Sequence, residues 1–363
     1  MSRKQIAPRT LFDEQYVLEK LSKLKDPLES LSKVVDFEIF RTKLEELLRK
    51  KPKGKGGRPA YDYVLMFKIL ILQRYYNLSD DNMEFQILDR MSFRRFLGVD
   101  LAHDIPDSKT IWHFREQLGK QEAHLSEGQG GIKALFDHFT SLLEQVGFIA
   151  HEGKMVDASF VEVPRQRNSR EENKDIKSGQ LPEEWEKETH RHKRPQKDID
   201  ARWTKKNNQT FYGYKDHVKA DTKSKVVTDY RVTQASVHDS QTLEGLLDKK
   251  DAGQPCYADS AYCGPDNEQA ITKYQMVNKV CEKGKRNTPL TEQQKQSNQE
   301  KSKTRARVEH IFGFIENSMG GSYIRSIGLV RAKANIGLMN LTYNLFRTVQ
   351  LCKIQGRSAP NWA

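Results

Sequence analysis

Apolar residues recur at helical spacing through the first part of the chain and change period near residue 148. Leu18, Leu21 and Leu24 form one helical stripe, and Phe40, Leu44, Leu47 and Leu48 form another, so residues 13–51 read as helical. Residues 63–76 are apolar over the length of a helix. Ser79-Asp80-Asp81 supplies an N-cap for a second helix with Phe85, Leu88 and Met91 on one side. A short third piece covers 93–97, and Pro106-Asp107-Ser108 caps a fourth over 109–117. Another helix is expected over 132–146. Beyond 148 the pattern becomes strand-like. Residues 155–161 read as a strand, and 211–220 and 225–233 flank the polar turn Asp221-Thr222-Lys223-Ser224 as a hairpin. A helix carrying Leu243, Leu246 and Leu247 is expected from 239, then a strand over 255–258, a helix from Gly264-Pro265 to 274, and a strand over 277–281. Residues 285–303 are polar and loop-like. A helix over 304–317 and an almost wholly apolar one over 332–351 complete the pattern.

This order divides the chain. Residues 1–50 form an N-terminal helical segment, and 51–59 a basic glycine- and proline-rich linker that cannot build a core. Residues 60–128 form a helical domain. Its last helix carries Lys109, Trp112, His113 and Arg115, an arrangement resembling a helix-turn-helix, although a plain helical bundle gives the same pattern. Residues 129–363 form an α/β domain interrupted by a highly charged, irregular insertion at 164–210, whose Trp185 and Trp203 anchor it or stack on bases. A first strand and a hairpin followed by alternating helices and strands is the ribonuclease-H-like plan, an α/β core with a mixed sheet, here preceded by an all-α region.

Charge narrows the choice of partner. Lysine and arginine number 61 against 49 aspartates and glutamates, a formal charge of +12 over 363 residues. Such a surplus favours a polyanion, because neutralised phosphates release condensed counterions. It equally fits a ribosome-associated or membrane-surface protein. Cys256, Cys263, Cys281 and Cys352 form no C-x-x-C pair, which points to reduced thiols in the cytosol. The longest apolar run, 64–72, is broken by Lys68 and too short for a bilayer, so a soluble, intracellular protein is expected.

Three carboxylates stand where chemistry is expected. Asp157 lies on the first α/β strand, on one face with Met155 and Ser159 and opposite Val156, Ala158 and Phe160. An aspartate in such apolar company needs a positive partner. Asp259 ends the strand in Cys256-Tyr257-Ala258-Asp259, where open α/β sheets collect ligands. The two strands are neighbours in this plan, and paired carboxylates repel unless they share a proton or a cation. Mg²⁺ suits that need. Glu309 borders the apolar stripe Val308, Ile311, Phe312, Ile315 and Met319, with Arg305 one turn earlier on the same side to orient it or hold a phosphate. Asp216, Asp221 and Asp239 are rival carboxylates; Asp221 reads as a turn residue and Asp239 as a helix cap.

From residue 58 to 347 the chain resembles bacterial insertion-sequence transposases of the family numbered five, within the DDE group. The residues carrying the resemblance are Gly57-Arg58-Pro59, Ser108-Lys109-Thr110-Ile111-Trp112, Val156-Asp157-Ala158-Ser159, Tyr212-Gly213-Tyr214-Lys215-Asp216-His217, Ala235-Ser236-Val237-His238-Asp239-Ser240, Ala258-Asp259-Ser260-Ala261-Tyr262 and Arg305-Ala306-Arg307-Val308-Glu309-His310. The resemblance implies that Asp157, Asp259 and Glu309 form the catalytic, metal-holding triad for two Mg²⁺ or Mn²⁺ ions. It further implies cleavage and strand transfer on double-stranded DNA, by a homodimer, in a bacterial cytoplasm at the nucleoid. Arg58, Lys109, Arg115, Lys215, Arg305 and Arg307 become DNA contacts, with His217 and His238 near the metal site. Relatives often carry a tyrosine and a lysine where this chain has Ser302 and Glu316. The residue clamping flanking DNA is therefore open among Lys301, Lys303, Arg325, Arg331 and Lys333. The competing reading is an inactive DNA-binding regulator derived from a transposase.

Overall fold

A computed structural model describes residues 13–48, 59–120, 130–185, 187–190, 192–206, 208–284 and 288–362. Most of the expected linker, with Arg58, lies outside the described residues. The N-terminal half is helical: α1 (Asp13–Lys23), α2 (Pro27–Val34), α3 (Arg41–Leu48), α4 (Tyr63–Tyr75), α5 (Asp80–Asp89), α6 (Met91–Leu97), α7 (Ser108–Lys120) and α8 (Gly131–Gln145). Their starts are written in capping residues. Asp26, Asp62 and Ser79 each accept a backbone N–H from the first turn of α2, α4 and α5.

The sheet is built from β1 (Lys154–Glu162), β2 (Arg202–Lys206), β3 (Gln209–Asp221), β4 (Val227–Gln234), β5 (Pro255–Tyr257) and β6 (Val277–Asn278). β3 lies antiparallel to β1, β2 and β4, whereas β5 runs parallel to β1 and β6 parallel to β5. Without the extra β2 ribbon, the order β4-β3-β1-β5-β6 is that of the ribonuclease-H-like mixed sheet. The helices α9 (Arg170–Ser178), α10 (Pro265–Lys273), α11 (Glu292–Arg305), α12 (Glu309–Gly313) and α13 (Leu329–Gln355) belong to this half.

Alternation along β1 sorts its side chains between two cores. Met155 joins the large core on one face, while Val156 joins Leu243, Leu246, Cys256, Ala258, Tyr262 and Ile271 on the other. The large core is continuous from Leu31 and Phe40 through Phe67 and Phe139 to Leu341 and Leu345. It crosses the sequence boundaries at 59 and 128 without a break. Its spine is α13, buried over most of its surface and packed against α2, α4, α7, α8 and β4. Polar pegs fix the spine to the sheet. Asn344 accepts the backbone N–H of Val227 at 2.9 Å and donates to its carbonyl at 2.8 Å, and Asn340 donates to both carboxylate oxygens of Asp216.

Several expectations change. Residues 292–303, expected as loop, belong to α11, which has no residue fully buried. Its start is a capping box: Thr291 Oγ1 accepts from Gln294 N, and the Gln294 side chain accepts from Thr291 N. The 164–210 insertion is ordered in part. It contains α9 and β2, and is pinned by buried Trp185, whose indole donates to Glu172 at 2.7 Å. Trp203 remains exposed. On α5 the buried face is Met83 and Ile87, one step round from the expected Phe85 and Leu88, which face solvent. The helix expected from 239 is two short 3-10 turns, and the strand expected over 277–281 is only Val277–Asn278. Residues 306–318 change pitch twice, from a 3-10 turn at Ala306–Val308 through α12 to a wide π-turn at Phe314–Ser318.

Candidate active site

The sheet register brings the two aspartates together. Lys154 pairs with Cys256 and Met155 with Tyr257, and continuing that parallel register two rows sets Asp157 level with Asp259. The Asp157 side chain is 15% exposed. Its Oδ1 accepts the Ala158 N–H at 2.8 Å, and its Oδ2 accepts from Arg305 Nη1 at 2.7 Å. Burial raises the Asp157 carboxyl above its ordinary value. The Ala158 N–H and the Arg305 charge oppose that rise, and the negative Asp259 adds to it. Asp259 stands just past β5, where its Oδ1 caps the 3-10 turn Ser260–Tyr262 through the Ala261 N–H at 2.8 Å.

Glu309 arrives differently. It is the first residue of α12, its side chain is 65% exposed, and its Oε1 lies 3.6 Å from Arg305 Nη2. Arg305 therefore spans Asp157 and Glu309, supplying the positive charge that the aspartate needs. A second tie joins the same helix to β1, where Ser159 Oγ donates to Glu316 Oε1 at 3.0 Å. The glutamate at the position where relatives carry lysine is thus engaged with the catalytic strand.

The donor set fits a hard cation. All three carboxylates offer oxygen only, with neither thiolate nor imidazole among them. Among the described residues, no three His, Cys, Asp or Glu side chains converge closely enough to hold a metal as they stand. The Arg305 guanidinium is the cation stand-in, and Glu309 has to swing inward to complete the set.

The other sequence candidates divide by face. Lys215 and His217 pair with Phe160 and Ala158, which puts them on the face of the sheet opposite Asp157. Lys215 is buried, with Nζ on the Val237 carbonyl at 2.7 Å and on Asp239 Oδ1 at 2.8 Å. Asp239, read from sequence as a cap, is that lysine's counter-charge; the cap of its turn is His238, whose Nδ1 accepts the Ser240 N–H. His217 is fully buried between Thr233 Oγ1 and Thr242 Oγ1. Burial lowers its pKa to about 4, so it is neutral at pH 7. Asp221 is the turn residue expected, accepting from Lys223 N and Ser224 N.

On α7, Lys109, Trp112 and His113 are exposed along one side. Arg115 turns inward to a two-pronged pairing with Asp80 at 2.6 and 2.9 Å. Arg307 donates to the Thr222 carbonyl at 3.1 Å. Of the clamp candidates, Arg331 binds Glu116 and Lys301 the Val280 carbonyl, while Lys303 and Arg325 are exposed. No helix among the described residues is long and apolar enough to cross a membrane.

Comparison with known proteins places the chain in a family. Residues 150–345 match the Transposase DDE domain, and residues 16–117 match a second transposase domain, DUF772. The fold is similar to a piggyBac transposase seen by cryo-electron microscopy in a synaptic complex with hairpin DNA, at a TM-score of 0.44 and 12% identity over 94% of this chain and 79% of that one. The first match covers more than half of the chain and contains Asp157, Asp259, Arg305 and Glu309; this chain belongs to the DDE transposase family, of the insertion-sequence type.

Proposed function

We propose that this transposase cuts at the ends of an insertion sequence of the family numbered five and joins them to target DNA, using Asp157, Asp259 and Glu309 around a pair of Mg²⁺ or Mn²⁺ ions. Dependence on a divalent cation comes with the DDE domain. The observation carrying the residue assignment is the parallel pairing of β1 with β5, whose register, continued past Tyr257, sets Asp157 level with Asp259. When bound, the cations supply an activated water and neutralise charge at the phosphodiester under attack.

The protein's own groups do the rest. Asp157, desolvated in the sheet, keeps a fixed position and a standing demand for positive charge. Arg305 meets that demand without metal and, once displaced, presents its planar fork to a phosphate. Glu309 moves from solvent toward the aspartates. The exposed Lys109, Trp112 and His113 of α7, with Arg58, engage double-stranded DNA. Arg115 and Lys215 are held in ion pairs with Asp80 and Asp239, and Arg307 donates to the Thr222 carbonyl. Two ends require two active sites, hence a homodimer on DNA at the bacterial nucleoid.

The test is labelled terminal-repeat duplex incubated with the wild type and with Asp259→Asn, in Mg²⁺, in Mn²⁺ or in chelator. Cutting and joining by the wild type in metal alone is expected. If both proteins bind the duplex equally and neither alters it in any condition, the chain is a DNA-binding regulator rather than an active enzyme.

A further inference from the structure

The segment that carries Glu309 ends against the helical half of the molecule. Ile315 and Met319 seat this end in the large core, and the wide turn Phe314–Ser318 closes with Gly321 N on the Ile315 carbonyl at 2.8 Å. Here the chain meets the C-terminal end of α4. Arg74 Nη2 donates to the Met319 carbonyl at 3.1 Å and to Asn77 Oδ1 at 2.8 Å. Gly320, at φ +56°, lies so close that a Cβ there would stand 2.6 Å from Asn77 Nδ2. Arg74 is buried and its Nε has no acceptor. Among the described residues its two acceptors are a carbonyl and an amide, and neither is a carboxylate. Burial, and then the like charge of Arg115, lower its pKa to about 10, so it stays charged at pH 7. A buried guanidinium without a counter-charge is expensive. The negative end of a helix, where carbonyls lack partners, is the feature that offsets that cost here.

The same turn of α4 is locked to α7. Gln73 Nε2 donates to Asp80 Oδ1 at 2.7 Å, and Gln73 Oε1 accepts from Arg115 Nη1 at 2.9 Å. Arg115 belongs to the helix whose exposed side carries Lys109, Trp112 and His113. Adjacent residues of α4 therefore grip the helix proposed to face DNA and the far end of the Glu309 segment. We propose that Arg74 is a positioning residue for Glu309: by holding the Met319 carbonyl it ties the far end of residues 309–319 to α4, so that the segment moves only at its Glu309 end. The proposal rests on the reading of Glu309 as a member of the triad. Glu309 is the loose end of this arrangement, exposed and 3.6 Å from Arg305. Without Arg74 both ends yield, and the carboxylate no longer arrives at one place. A plain helix cap would act otherwise: its loss would lower stability and leave the rate of the folded protein unchanged.

The experiment measures single-turnover cleavage of labelled terminal-repeat duplex at saturating Mn²⁺, together with duplex affinity, for full-length wild type, Arg74→Met, Arg74→Lys and Glu309→Gln. Thermal melts fix a working temperature at which every variant is folded. Arg74→Met removes the donors and the buried charge together. The expected result is a rate about 10- to 100-fold lower in Arg74→Met at unchanged duplex affinity, with most of the rate recovered in Arg74→Lys, which keeps a donor for the carbonyl. A wild-type rate in Arg74→Met, beside lost cleavage in Glu309→Gln, overturns the role of Arg74 and leaves Glu309 standing. Cleavage by Glu309→Gln at the wild-type rate overturns the reading of Glu309, and this proposal with it. A loss in Arg74→Met that weaker duplex binding explains, or that Arg74→Lys does not recover, also overturns it. If Arg74→Met does not fold, Asn77→Gly decides, because it keeps the backbone at φ +51° and removes the other side chain that meets the Met319-Gly320 turn. A slower rate at unchanged duplex affinity in that variant supports the anchor, and a wild-type rate overturns it.

Discussion

The aspartate half and the glutamate half of the proposed triad are built by opposite rules. Asp157 lies on β1 and Asp259 just past the end of the neighbouring parallel β5, and the register of those strands, continued two rows, sets them level, with a core on either face of the sheet. Glu309 sits on a helical segment that changes pitch on both sides of it, with its side chain exposed to solvent and 3.6 Å from Arg305. The first half is placed by the same interactions that fold the protein. The second rides on a segment seated by buried Val308 and Ile311 and tied to β1 by Ser159 and Glu316, but its carboxylate is held by one ion pair among the described residues. Its position can therefore change without disturbing the sheet, which an enzyme that admits metal and DNA requires.

Four substitutions sharpen or break this contrast. Asp259→Asn should lower cleavage by about a thousandfold or more, roughly 4 kcal/mol of barrier, beyond what outer-shell partners contribute; gel-based cleavage rates in Mn²⁺ measure it. Asp216→Asn probes the rigid half. Asp216 lies across from Ser159, wholly buried against Asn340, and its pKa is pushed up to about 7 by burial. Folding thus favours its protonated form. The stability this gives is complete below about pH 4 and is lost as the pH rises through 7. Wild type should lose on the order of 3–4 kcal/mol relative to Asp216→Asn between pH 4 and pH 8, measured by urea unfolding across that range.

Arg305→Ala removes the link between the halves. It should destabilise the metal-free protein by about 2 kcal/mol, since it strands a buried carboxylate. Added Mn²⁺ should restore more stability to this variant than to wild type, because the cation replaces the lost charge; thermal melts with and without Mn²⁺ decide. Glu309→Gln should change metal-free stability by no more than about 0.5 kcal/mol, as exposed positions do, while cleavage is lost. A large stability loss there would erase the distinction between the halves.

What could be read from the chain follows the same division. Asp157 and Asp259 were legible because sheet residues obey a two-residue period and strand ends are marked by apolar runs. Helix α11 was not, because a helix with no buried face has no apolar period, and its signal was the Thr291–Gln294 capping box. The strand β2, Arg202–Lys206, hid in a charged stretch because it is a sheet-edge ribbon with no fully buried residue. Phe85 and Leu88 show the reverse error, where apolar type stood in for burial. Lys215 reads as a phosphate contact because charge is visible in sequence, while its partner Asp239, more than twenty residues away, is not.

The wide turn at Phe314–Ser318 has a mechanical reading. A π-turn is an α-helix holding one residue in reserve. Each residue of α-helix amounts to about 100° of rotation and 1.5 Å of advance. If that spare residue migrates toward the N-terminus past Glu309, the carboxylate turns through roughly a quarter of a revolution, and Ile311 and Phe312, which lie between, turn with it. The segment is a screw with one thread of slack, and Glu309 is mounted on it.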